Sequence, residues 1–590
     1  MEFTRTFDLL ERYRSFPAKD DALCFKQHGE WTRYSSLEYI DNSTMLCYGL
    51  HQLGIRKGDK IITISANRPE WNFADLGMAM LGVVHVPVFT SLSTPEYEFI
   101  IRDSGAKMVL ISDSKLFRTV EPAVKAAGSK IGIYTFDEIE GTPNWREIIK
   151  LGMDCPPEAR QEIEKQKQGI DPDTCAVLIY TSGTTGKAKG VMLSHKNLVS
   201  NFLAASEVFD LKPENRYLSI LPLCHVGGRL GNYQTQYSNT SIYYAENMGT
   251  IAVNMQEIKP DGFDAVPRIL EKFYDVIISK GKKLTGIKKS LFFWAVKLGD
   301  RYKPFGENGW FYERKLAIAD KLIFSKWRAA LGNNVRLVGC GGASLSPKLE
   351  RVFWAAGIKI INMYGLTETS PIITINRQYK GGAKLGSVGI TIEGVKVKIA
   401  DDGEILCKGP NVMIGYYNDQ ELTKAAFDEE GWFRTGDIGY LADGKFLMVT
   451  DRKKEIFKLS NGKFIAPQLI ENVFKESPLI DQIMVVGEHE KFASAIISPN
   501  FRYFTEAGKV SAPVPIVPGE LIESPEILAA FNAEVEKYNR RVSPHERILR
   551  FRLVPDEWSP ATGELSPTLK LKRQVITGKY RELLDEVYRH

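Results

Sequence analysis

Cysteine is scarce in this 590-residue chain, and its spacing matches no metal-binding pattern. The seven cysteines are an odd number, no two of them stand at metal-ligand spacing, and none follows Cys407. A disulfide framework and a zinc site are therefore not expected. A reducing cytoplasm fits this usage best.

The sequence also lacks an apolar run that is long enough to cross a membrane. The best stretch, residues 76–89, has 14 residues and contains His85 and Pro87, whereas a bilayer span takes about 20. The N-terminal residues carry charges throughout and lack the apolar core of a signal peptide. We therefore expect a soluble, cytoplasmic protein. Peripheral contact with the inner face of a membrane stays open as an alternative.

A strong charge of either sign is absent as well. Lysine and arginine number 77 against 72 acidic residues, which gives a net charge of +5 without any long basic block. Nucleic-acid-binding proteins usually concentrate basic residues on one face, so this class of partner is not expected. The chain is too long for one core, and two or three domains are expected. A monomer and a homodimer are both compatible with it.

Short β-branched runs alternate with helical patterns along the first half of the chain. Residues 60–66, 83–89 and 107–112 are predicted strands and residues 68–81 a predicted helix. The same alternation returns at 335–363, with a turn predicted at 339–346. It predicts an α/β fold with a mostly parallel, doubly wound sheet. In such sheets ligands bind at the carboxyl ends of the strands.

The pattern changes after residue 386. Residues 386–450 contain short alternating strands separated by Asp-Gly turns, which predicts a small antiparallel β subdomain. The charged tetrapeptide at 451–454 follows. We place the domain boundary there, between an N-terminal domain of residues 1–451 and a mobile α+β domain of residues 452–590. The proline-rich stretch 510–519 is predicted to be an irregular loop.

An unusual loop sequence follows the apolar strand predicted at 175–179. Residues 180–190 read YTSGTTGKAKG, with four Ser or Thr hydroxyls, three glycines and two lysines. Glycines let backbone N–H groups face a ligand, hydroxyls donate hydrogen bonds, and lysines balance charge, which together suit a polyphosphate. A surface turn is the alternative. The spacing matches neither the Walker loop nor the dinucleotide fingerprint, so the sequence predicts an ATP-binding loop of another type.

The segment 180–195, YTSGTTGKAKGVMLSH, resembles the signature of the adenylate-forming superfamily, which comprises acyl-CoA synthetases, firefly-type luciferases and adenylation domains of peptide synthetases. The resemblance extends over residues 20–580. Further motifs follow in the order of that family, namely LPLCH at 221–225, GGAS at 341–344, NMYGLTET at 362–369, FRTGD at 433–437, DR at 451–452 and PTLK at 567–570.

Within this superfamily, three segments look like bacterial long-chain fatty acyl-CoA synthetases. They are residues 86–91, 266–270 and 459–467. Residues 227–229 read Gly-Gly-Arg, where related synthetases often have Phe-Glu-Arg. This departure leaves the preferred chain length open.

The resemblance implies a ligase that uses ATP, with Mg²⁺ as cofactor, to convert a fatty acid into an acyl-adenylate. Pyrophosphate leaves, and coenzyme A then accepts the acyl group to give acyl-CoA and AMP. Two alternatives remain. One is a fatty acyl-AMP ligase that delivers to a carrier protein, and the other is a non-catalytic homologue that binds a nucleotide or a lipid.

The resemblance also assigns residues. Glu368 and Thr181 are expected to hold magnesium, and Lys570 is the expected catalytic lysine, with Lys572 as its alternative. Contacts with ATP or AMP are expected from Thr181, Ser182, Gly183, Thr184, Thr185, Gly186, Lys187, Gly341, Gly342, Ala343, Tyr364, Gly365, Thr367, Asp437 and Arg452. The acyl pocket is assigned to His225, Arg229, Val266 and Pro267, and the hinge and coenzyme A side to Lys454, Gly462 and Lys463.

Some of these side chains have a chemical reason for their role. Tyr364 offers an aromatic face for adenine, and Asp437 has two oxygens for the two ribose hydroxyls. The competing interpretations are a buried core tyrosine for Tyr364 and a surface side chain for Glu368 and Arg452. His225 is assigned to pocket lining, because a carboxylic acid is already ionised near pH 7 and adenylation needs no general base.

Overall fold

The computed structural model describes residues 3–27, 29–128, 130–182, 188–506 and 518–589. Strands in this part of the chain are numbered in chain order: β1 (Leu23–Gln27), β2 (Glu30–Tyr34), β3 (Lys60–Ile64), β4 (Val84–Val88), β5 (Met108–Ile111), β6 (Gly132–Thr135), β7 (Cys175–Ser182), β8 (Ala188–Ser194), β9 (Arg216–Ser219), β10 (Ser241–Tyr244), β11 (Gly262–Ala265), β12 (Leu337–Cys340), β13 (Lys359–Gly365), β14 (Ile372–Ile375), β15 (Ile390–Thr391), β16 (Lys396–Ile399), β17 (Glu404–Lys408), β18 (Gly415–Tyr416), β19 (Phe433–Ala442), β20 (Phe446–Arg452), β21 (Phe457–Lys458), β22 (Phe464–Ile465), β23 (Ile480–Val486), β24 (Ala493–Pro499) and β25 (Ile548–Leu553).

Helices cover both faces of the large sheets. They are α1 (Asp8–Ser15), α2 (Ser36–Gln52), α3 (Pro69–Met80), α4 (Thr94–Ser104), α5 (Ser114–Ala127), α6 (Trp145–Met153), α7 (Pro157–Gln168), α8 (His195–Phe209), α9 (Val226–Tyr237), α10 (Ile251–Ile258), α11 (Pro267–Lys282), α12 (Gly286–Asp300), α13 (Trp310–Ala319), α14 (Ser325–Ala330), α15 (Pro347–Ala355), α16 (Gln420–Ala425), α17 (Pro467–Phe474), α18 (Phe501–Glu506), α19 (Pro518–Glu523), α20 (Pro525–Asn539), α21 (Arg573–Lys579) and α22 (Arg581–Tyr588).

Two large sheets form the body of the N-terminal region. One has the order β18-β8-β7-β4-β3-β5-β6, and its strands from β7 to β6 run parallel. The other has the order β15-β14-β13-β12-β11-β9-β10-β1-β2, with a parallel centre from β13 to β1. Because helices connect these parallel strands, the predicted α/β class with doubly wound sheets is confirmed.

Smaller sheets follow in the second half of the chain. Strands β16, β17, β19 and β20 form the predicted antiparallel β subdomain. Beyond it, β23, β24 and β25 form a mixed three-stranded sheet, and β21 and β22 form a short hairpin. Helices α17 and α20 pack beside the three-stranded sheet, which gives this region the predicted α+β character.

Most predicted elements occur within a few residues of their expected bounds. The helix predicted at 68–81 is α3, whose Pro69 stands at the first turn, where its missing N–H costs nothing. The strands predicted at 60–66 and 83–89 are β3 and β4, which lie side by side with Ile62 opposite Val86.

Three sequence predictions need correction or lie outside the description. Residues 180–195 are not a loop throughout, because β7 extends to Ser182 and pairs with β8 as an antiparallel hairpin. The turn predicted at 339–346 starts later, because β12 extends to Cys340. The predicted irregular loop at 510–519 lies outside the described residues up to 517, and α19 begins at Pro518.

The buried apolar side chains form separate clusters in the N-terminal and C-terminal parts of the chain. In the described residues, the largest cluster runs from Phe7 to Phe433. The side chains from Leu459 onward form two further clusters, one between α17, α20 and the three-stranded sheet and one beneath Trp558 and Tyr580. The C-terminal region therefore has apolar interiors of its own.

The cysteines take no part in cross-links. All seven are free, six are buried, and Cys175 is half-buried. Burial raises the pKa of Cys175 and of Cys224 to about 12.

None of the described helices is both long and apolar enough to span a membrane.

Candidate active site

Three side chains from separate elements meet at one edge of the β subdomain. The register of β19 and β20 places Asp437 opposite Arg452, and the Arg452 Nε lies 2.8 Å from Asp437 Oδ1. Tyr364, near the carboxyl end of β13, donates its hydroxyl to Asp437 Oδ2 at 2.7 Å. The three motifs that contain these residues therefore converge on one carboxylate, and we call this group the cleft triad.

Electrostatics distinguish Asp437 from an ordinary surface acid. Burial raises its pKa, and Arg452 and Tyr364 oppose that rise. Burial also raises the pKa of Tyr364 well above its ordinary value. The tyrosine is therefore a neutral donor, and the carboxylate keeps lone pairs for further donors such as ligand hydroxyls.

Glu368 forms a second polar group with residues that its motif does not contain. Its Oε1 lies 3.1 Å from Lys189 Nζ and accepts a hydrogen bond from the Tyr416 hydroxyl at 2.9 Å. Burial alone would raise the pKa of Glu368, but Lys189 and Tyr416 hold it below its usual value. A buried and ionised carboxylate is the kind of group that a hard cation requires.

Thr181 is a second side chain that suits a bound cation. Its hydroxyl oxygen is buried and has no hydrogen-bond partner among the described residues, and β7 places it opposite Lys189 on β8. An orphaned buried hydroxyl is unusual and calls for an explanation. The described residues contain no cluster of three or more His, Cys, Asp or Glu that would enclose a metal alone. One carboxylate and one hydroxyl instead suit Mg²⁺, which keeps water and phosphate oxygens in its shell.

Lys570 comes to this cleft from the far end of the chain. It lies in a tight turn in which its backbone N–H donates to Ser566 Oγ at 3.0 Å, and the preceding Leu569 has a left-handed φ of 62°. The side chain keeps access to solvent. Even so, the surrounding protein and the charge of Arg452 lower the pKa of Lys570, while Asp437 and Glu368 oppose this. Its amine is therefore an electrostatic neighbour of both polar groups.

The competing lysine has a different setting. Lys572 is the residue before α21, and its backbone N–H donates to Glu564 O at 2.8 Å. Its neighbour Arg573 forms ion pairs with Glu455 and Glu471, each at 2.8 Å. The structure brings Lys570, and not Lys572, beside the charges of the cleft triad.

His225 also lies near Lys570. It precedes α9, and its Nδ1 accepts a hydrogen bond from the Gly227 N–H at 3.1 Å. Burial and the charge of Lys570 lower the pKa of His225 to about 4. The imidazole is therefore neutral near pH 7 and has a structural partner, and its assignment to pocket lining stays a prediction.

The glycines of the nucleotide motifs allow close packing. A Cβ at Gly365 would lie 1.7 Å from Pro371 O, and a Cβ at Gly341 would lie 2.9 Å from Met363 Cγ. Gly342 has a φ of 83°, which favours glycine. Ala343 is exposed beside it, and Thr367 begins the short 3-10 helix that carries Glu368.

Val266 and Pro267 lie at the start of α11, directly after β11. A Cβ at Gly342 would come within 3.7 Å of Val266 Cγ1. Val266 is half-buried, whereas Pro267 is buried as the first residue of the helix. Val266 therefore borders the same glycine segment as the predicted nucleotide site.

Arg229 requires a correction. Its side chain has no exposed surface, so it does not line an open pocket as predicted. It pairs with Asp75 at 2.8 Å and Tyr233 at 2.9 Å, and it lies over the Trp71 ring. A charge in the interior needs such partners, which the sequence around residues 227–229 does not reveal.

The remaining predicted site residues lie in exposed turns or outside the described residues. Lys454 is exposed in the turn after β20. Gly462 and Lys463 are exposed in the hairpin turn between β21 and β22. Of the phosphate loop, Gly183, Thr184, Thr185, Gly186 and Lys187 lie outside the described residues, as does the side chain of Ser182.

Two residues of the site were missed by sequence reasoning. Lys189 belongs to the quoted loop motif, so its positive charge was a usable signal. Tyr416, which accepts a hydrogen bond from Lys189 at 2.8 Å, gave no signal at all. Its role follows from the pairing of β18 with β8.

Comparison with known proteins agrees with this geometry. A profile described as AMP-binding enzyme matches residues 10–417, and one described as AMP-binding enzyme C-terminal domain matches residues 454–590. The chain belongs to the family of AMP-binding enzymes.

Among relatives, the chain is 32% identical to "Long-chain-fatty-acid--CoA ligase FadD15" of Mycobacterium bovis, over 95% of this chain and 93% of that protein. It is 29% identical to "Long-chain-fatty-acid--CoA ligase ACSBG2" of Xenopus laevis, over 96% and 81% of the two chains.

Solved structures share the fold at lower identity. The anthranilate CoA ligase AuaEII in complex with anthranoyl-AMP superposes with a TM-score of 0.72 at 18% identity, over 99% of both chains. The O-succinylbenzoate coenzyme A synthetase MenE of Bacillus subtilis, in complex with ATP and magnesium, superposes with a TM-score of 0.67 at 22% identity, over 97% and 98%. These likenesses confirm the fold.

Proposed function

We propose that the chain is a long-chain fatty acid–CoA ligase that forms AMP. In the first half-reaction a carboxylate oxygen of the acid attacks the α-phosphorus of ATP, the bond to the bridging oxygen breaks, and pyrophosphate leaves. In the second, the thiolate of coenzyme A attacks the acyl carbon and AMP leaves. The observation that carries this proposal is the position of Lys570 beside the cleft triad.

The charged residues of the cleft each have a role in the first half-reaction. Negative charge builds up on the oxygens around the α-phosphorus, so a fixed cation lowers the barrier. Lys570 supplies this charge from the C-terminal domain. Asp437 accepts the ribose hydroxyls, and Arg452 orients that carboxylate through its 2.8 Å contact.

Glu368 and Thr181 would hold Mg²⁺ in this proposal. The bound ion neutralises charge on the phosphates of ATP. Lys189 keeps Glu368 ionised, because their oppositely charged atoms lie 3.1 Å apart.

The use of one cleft for two half-reactions explains why the chain needs a second, mobile domain. We place the domains at 1–451 and 452–590 and the hinge at Lys454. Rotation about this hinge withdraws Lys570 after adenylation and brings Gly462 and Lys463 toward the coenzyme A side. The two domains contact each other across this boundary. These contacts support the interpretation that the structure represents the arrangement for adenylation. They include the Arg268–Asp481 ion pair and a 3.3 Å hydrogen bond from Ser346 to Glu476.

The test separates the two half-reactions over a panel of C8–C18 fatty acids. Exchange of labelled pyrophosphate into ATP reports adenylation, and acyl-CoA formation reports the second step. We expect both. Exchange without any acyl-CoA would instead indicate a ligase that delivers to a carrier protein. Loss of both activities while ATP still binds would indicate a non-catalytic homologue.

We further propose that this protein contacts an anionic membrane surface through α13. Residues 280–328 contain thirteen lysines and arginines against four acidic residues, although the whole chain carries only +5. One exposed side of α13 and the following turn, which we call the basic face, consists of Phe311, Arg314, Lys315, Ile318, Lys321 and Leu322.

The basic face has the composition of an interfacial helix. Apolar and cationic side chains alternate at helical spacing, while the opposite side, with Ala319 and Ile323, packs against α12. Among the described residues, Lys315 and Lys321 take part in no ion pair. Their charge is therefore available to phospholipid headgroups. A long-chain acid that partitions into a bilayer would reach the enzyme from such a surface.

Vesicle binding tests this contact. The double variant Lys315→Glu/Lys321→Glu should reduce binding to anionic vesicles at least about tenfold, because each basic residue contributes about 1 kcal/mol near such a surface. The control Lys380→Glu/Lys396→Glu reverses two exposed lysines elsewhere and should bind normally. Equal binding by both double variants, or no binding by the unmodified protein, would contradict the proposal.

A further inference from the structure

An arginine follows Lys570 closely in the chain and in space. Lys570 closes a tight turn, in which its carbonyl accepts a hydrogen bond from the Ser566 N–H at 2.8 Å. The stem of this turn ends at Lys572, whose N–H donates to Glu564 O at 2.8 Å. Arg573 is the next residue and begins α21. Its position is therefore coupled to that of Lys570 through a short, hydrogen-bonded piece of chain.

The Arg573 guanidinium connects two carboxylates that differ in burial. Its Nη2 lies 2.8 Å from Glu471 Oε2, and its Nε lies 2.8 Å from Glu455 Oε2. The Glu471 side chain is 3% exposed, whereas that of Glu455 is 36% exposed. Burial raises the pKa of Glu471, and Arg573 opposes that rise. The pair with Glu471 therefore belongs to the domain interior, and the pair with Glu455 lies nearer the surface.

Glu455 lies close to the cleft as well as to Arg573. It directly follows the proposed hinge residue, and its N–H donates to Arg452 O at 2.9 Å. Burial raises the pKa of Asp437, and the charge of Glu455 adds to that rise. Burial and Arg452 lower the pKa of Lys570, and Glu455 is one of the carboxylates that oppose this. Among the described residues, Glu455 forms an ion pair with Arg573 and none with Lys570.

An unpaired carboxylate at the position of Glu455 would interfere with adenylation in two ways. It would attract the Lys570 amine, because opposite charges interact strongly where protein partly excludes water. It would also repel the phosphates of ATP, whose negative charge the cleft has to balance. The ion pair with Arg573 counteracts both effects.

We propose that Arg573 is a positioning residue for adenylation, which holds Glu455 away from Lys570 and so leaves the lysine amine free for the α-phosphate. This inference rests on the proposed ligase function and adds a residue to its first half-reaction. Arginine suits this role because its planar fork binds two carboxylates at once, whereas the ammonium of lysine is a compact point charge.

The substitution Arg573→Lys tests this role. The new ammonium can still neutralise the buried Glu471, so the domain should stay folded, but it cannot hold both carboxylates in the same geometry. We expect pyrophosphate exchange to slow roughly tenfold or more, because a displacement of about 1 Å in an active site can cost about 10² in rate. Thioester formation from supplied acyl-adenylate should stay nearly unchanged. The matched control is Arg540→Lys, which changes an exposed ion pair with Glu536 in the same domain and should retain both half-reactions.

A double variant separates positioning from a structural role. Arg573→Lys/Glu455→Gln removes the competing carboxylate, so it should regain most of the exchange activity that Arg573→Lys loses. The single variant Glu455→Gln gives the reference rate for this comparison. A purely structural role of Arg573 predicts no such recovery. Thermal unfolding of each variant shows whether the fold is intact.

The outcomes are distinguishable. Unchanged exchange in Arg573→Lys, or a loss that persists in the double variant, would overturn the inference and leave the ligase function intact. Equal loss in both half-reactions would also overturn it, because Arg573 would then serve the fold. Absence of exchange in the unmodified enzyme with every C8–C18 acid would overturn the proposed function and the inference with it.

Discussion

Two Asp–Arg–Tyr arrangements occur in this molecule, and they differ in what surrounds them. In the cleft triad, Asp437 contacts Arg452 at 2.8 Å and Tyr364 at 2.7 Å. In the N-terminal core, Asp75 contacts Arg229 at 2.8 Å and Tyr233 at 2.5 Å. We call the second arrangement the core triad. Its geometry is nearly the same as that of the cleft triad.

The difference lies in exposure and in the number of partners. The Arg229 side chain is 0% exposed, whereas that of Arg452 is 40% exposed. Asp75 also contacts His85 at 2.6 Å. Burial would raise the pKa of Asp75, but Arg229 and His85 lower it to about 2. In Asp437 burial prevails and the pKa is raised. The same three residue types thus stabilise the fold where they are enclosed and offer a binding site where they are open.

The largest expected effect separates the two triads by stability. Asp75→Asn should lower the free energy of unfolding by about 3–5 kcal/mol, because it leaves Arg229 as a buried charge without its carboxylate. Asp437→Asn should change stability by less than about 1 kcal/mol but weaken ATP binding roughly tenfold, through loss of charged hydrogen bonds. Urea unfolding and nucleotide titration measure these effects. Similar unfolding curves for the two variants would show that the comparison is wrong.

The next prediction concerns Lys570, the cation beside the cleft triad. Lys570→Ala should lower the rate of adenylation by about 10²–10³, the usual loss when one group that stabilises transition-state charge is removed. Thioester formation from supplied acyl-adenylate should stay nearly unchanged. Lys572→Ala is the matched control and should retain both steps. A loss of equal size in both half-reactions would mean that Lys570 has a structural role.

A smaller effect is expected from the contact that holds the C-terminal domain over the cleft. Asp481→Asn removes the partner that Arg268 has in the C-terminal region and leaves its ion pair with Glu271 in the same helix. We expect adenylation to slow about two- to fivefold, since ion pairs near the surface contribute about 0.2–1 kcal/mol. Glu536→Gln removes an exposed ion pair with Arg540 inside the same domain and should have no effect. Identical rates for the two variants would exclude a role of the Arg268–Asp481 pair in closure.

The smallest predicted effect is a shift in pH dependence. Burial and, after it, the charge of Arg452 lower the pKa of Lys570, and in the proposed mechanism adenylation requires the charged amine. Activity should therefore decline as the pH rises through that pKa. Arg452→Gln raises the pKa of Lys570 and should move the decline to higher pH, whereas Arg452→Lys keeps the charge and should not. Profiles of pyrophosphate exchange against pH measure this, and an unshifted decline in Arg452→Gln would show that the two charges do not interact.

The α/β fold was predictable because β-branched runs and helical patterns alternate over long stretches. The resemblance to the adenylate-forming superfamily pointed to Tyr364, Asp437 and Lys570, since each stands in one of the family's motifs. The sequence did not show which partners these groups find. The Glu368–Lys189–Tyr416 group depends on strands far apart in the chain, and its geometry follows only from their pairing.

Arg229 and Asp264 also have surroundings that the sequence around them does not indicate. Arg229 stands in a polar segment next to a predicted pocket, yet the structure encloses it completely. Asp264 interrupts a short apolar strand, and nothing in its neighbourhood along the chain indicates that two distant glycines make room for it. Burial of a charged side chain is decided by which elements pack together, and periodicity does not report this.

The enclosed cysteines have a practical consequence. Because six native thiols are buried and burial raises the pKa of the half-buried Cys175 to about 12, a cysteine introduced at an exposed position should react with maleimide dyes faster than any of them. Tyr379 and Leu549 are both well exposed, one on each side of the residue 451–454 boundary. Dyes attached at these two positions, without removal of any native cysteine, would test the proposed rotation of the C-terminal domain, which should change energy transfer during turnover.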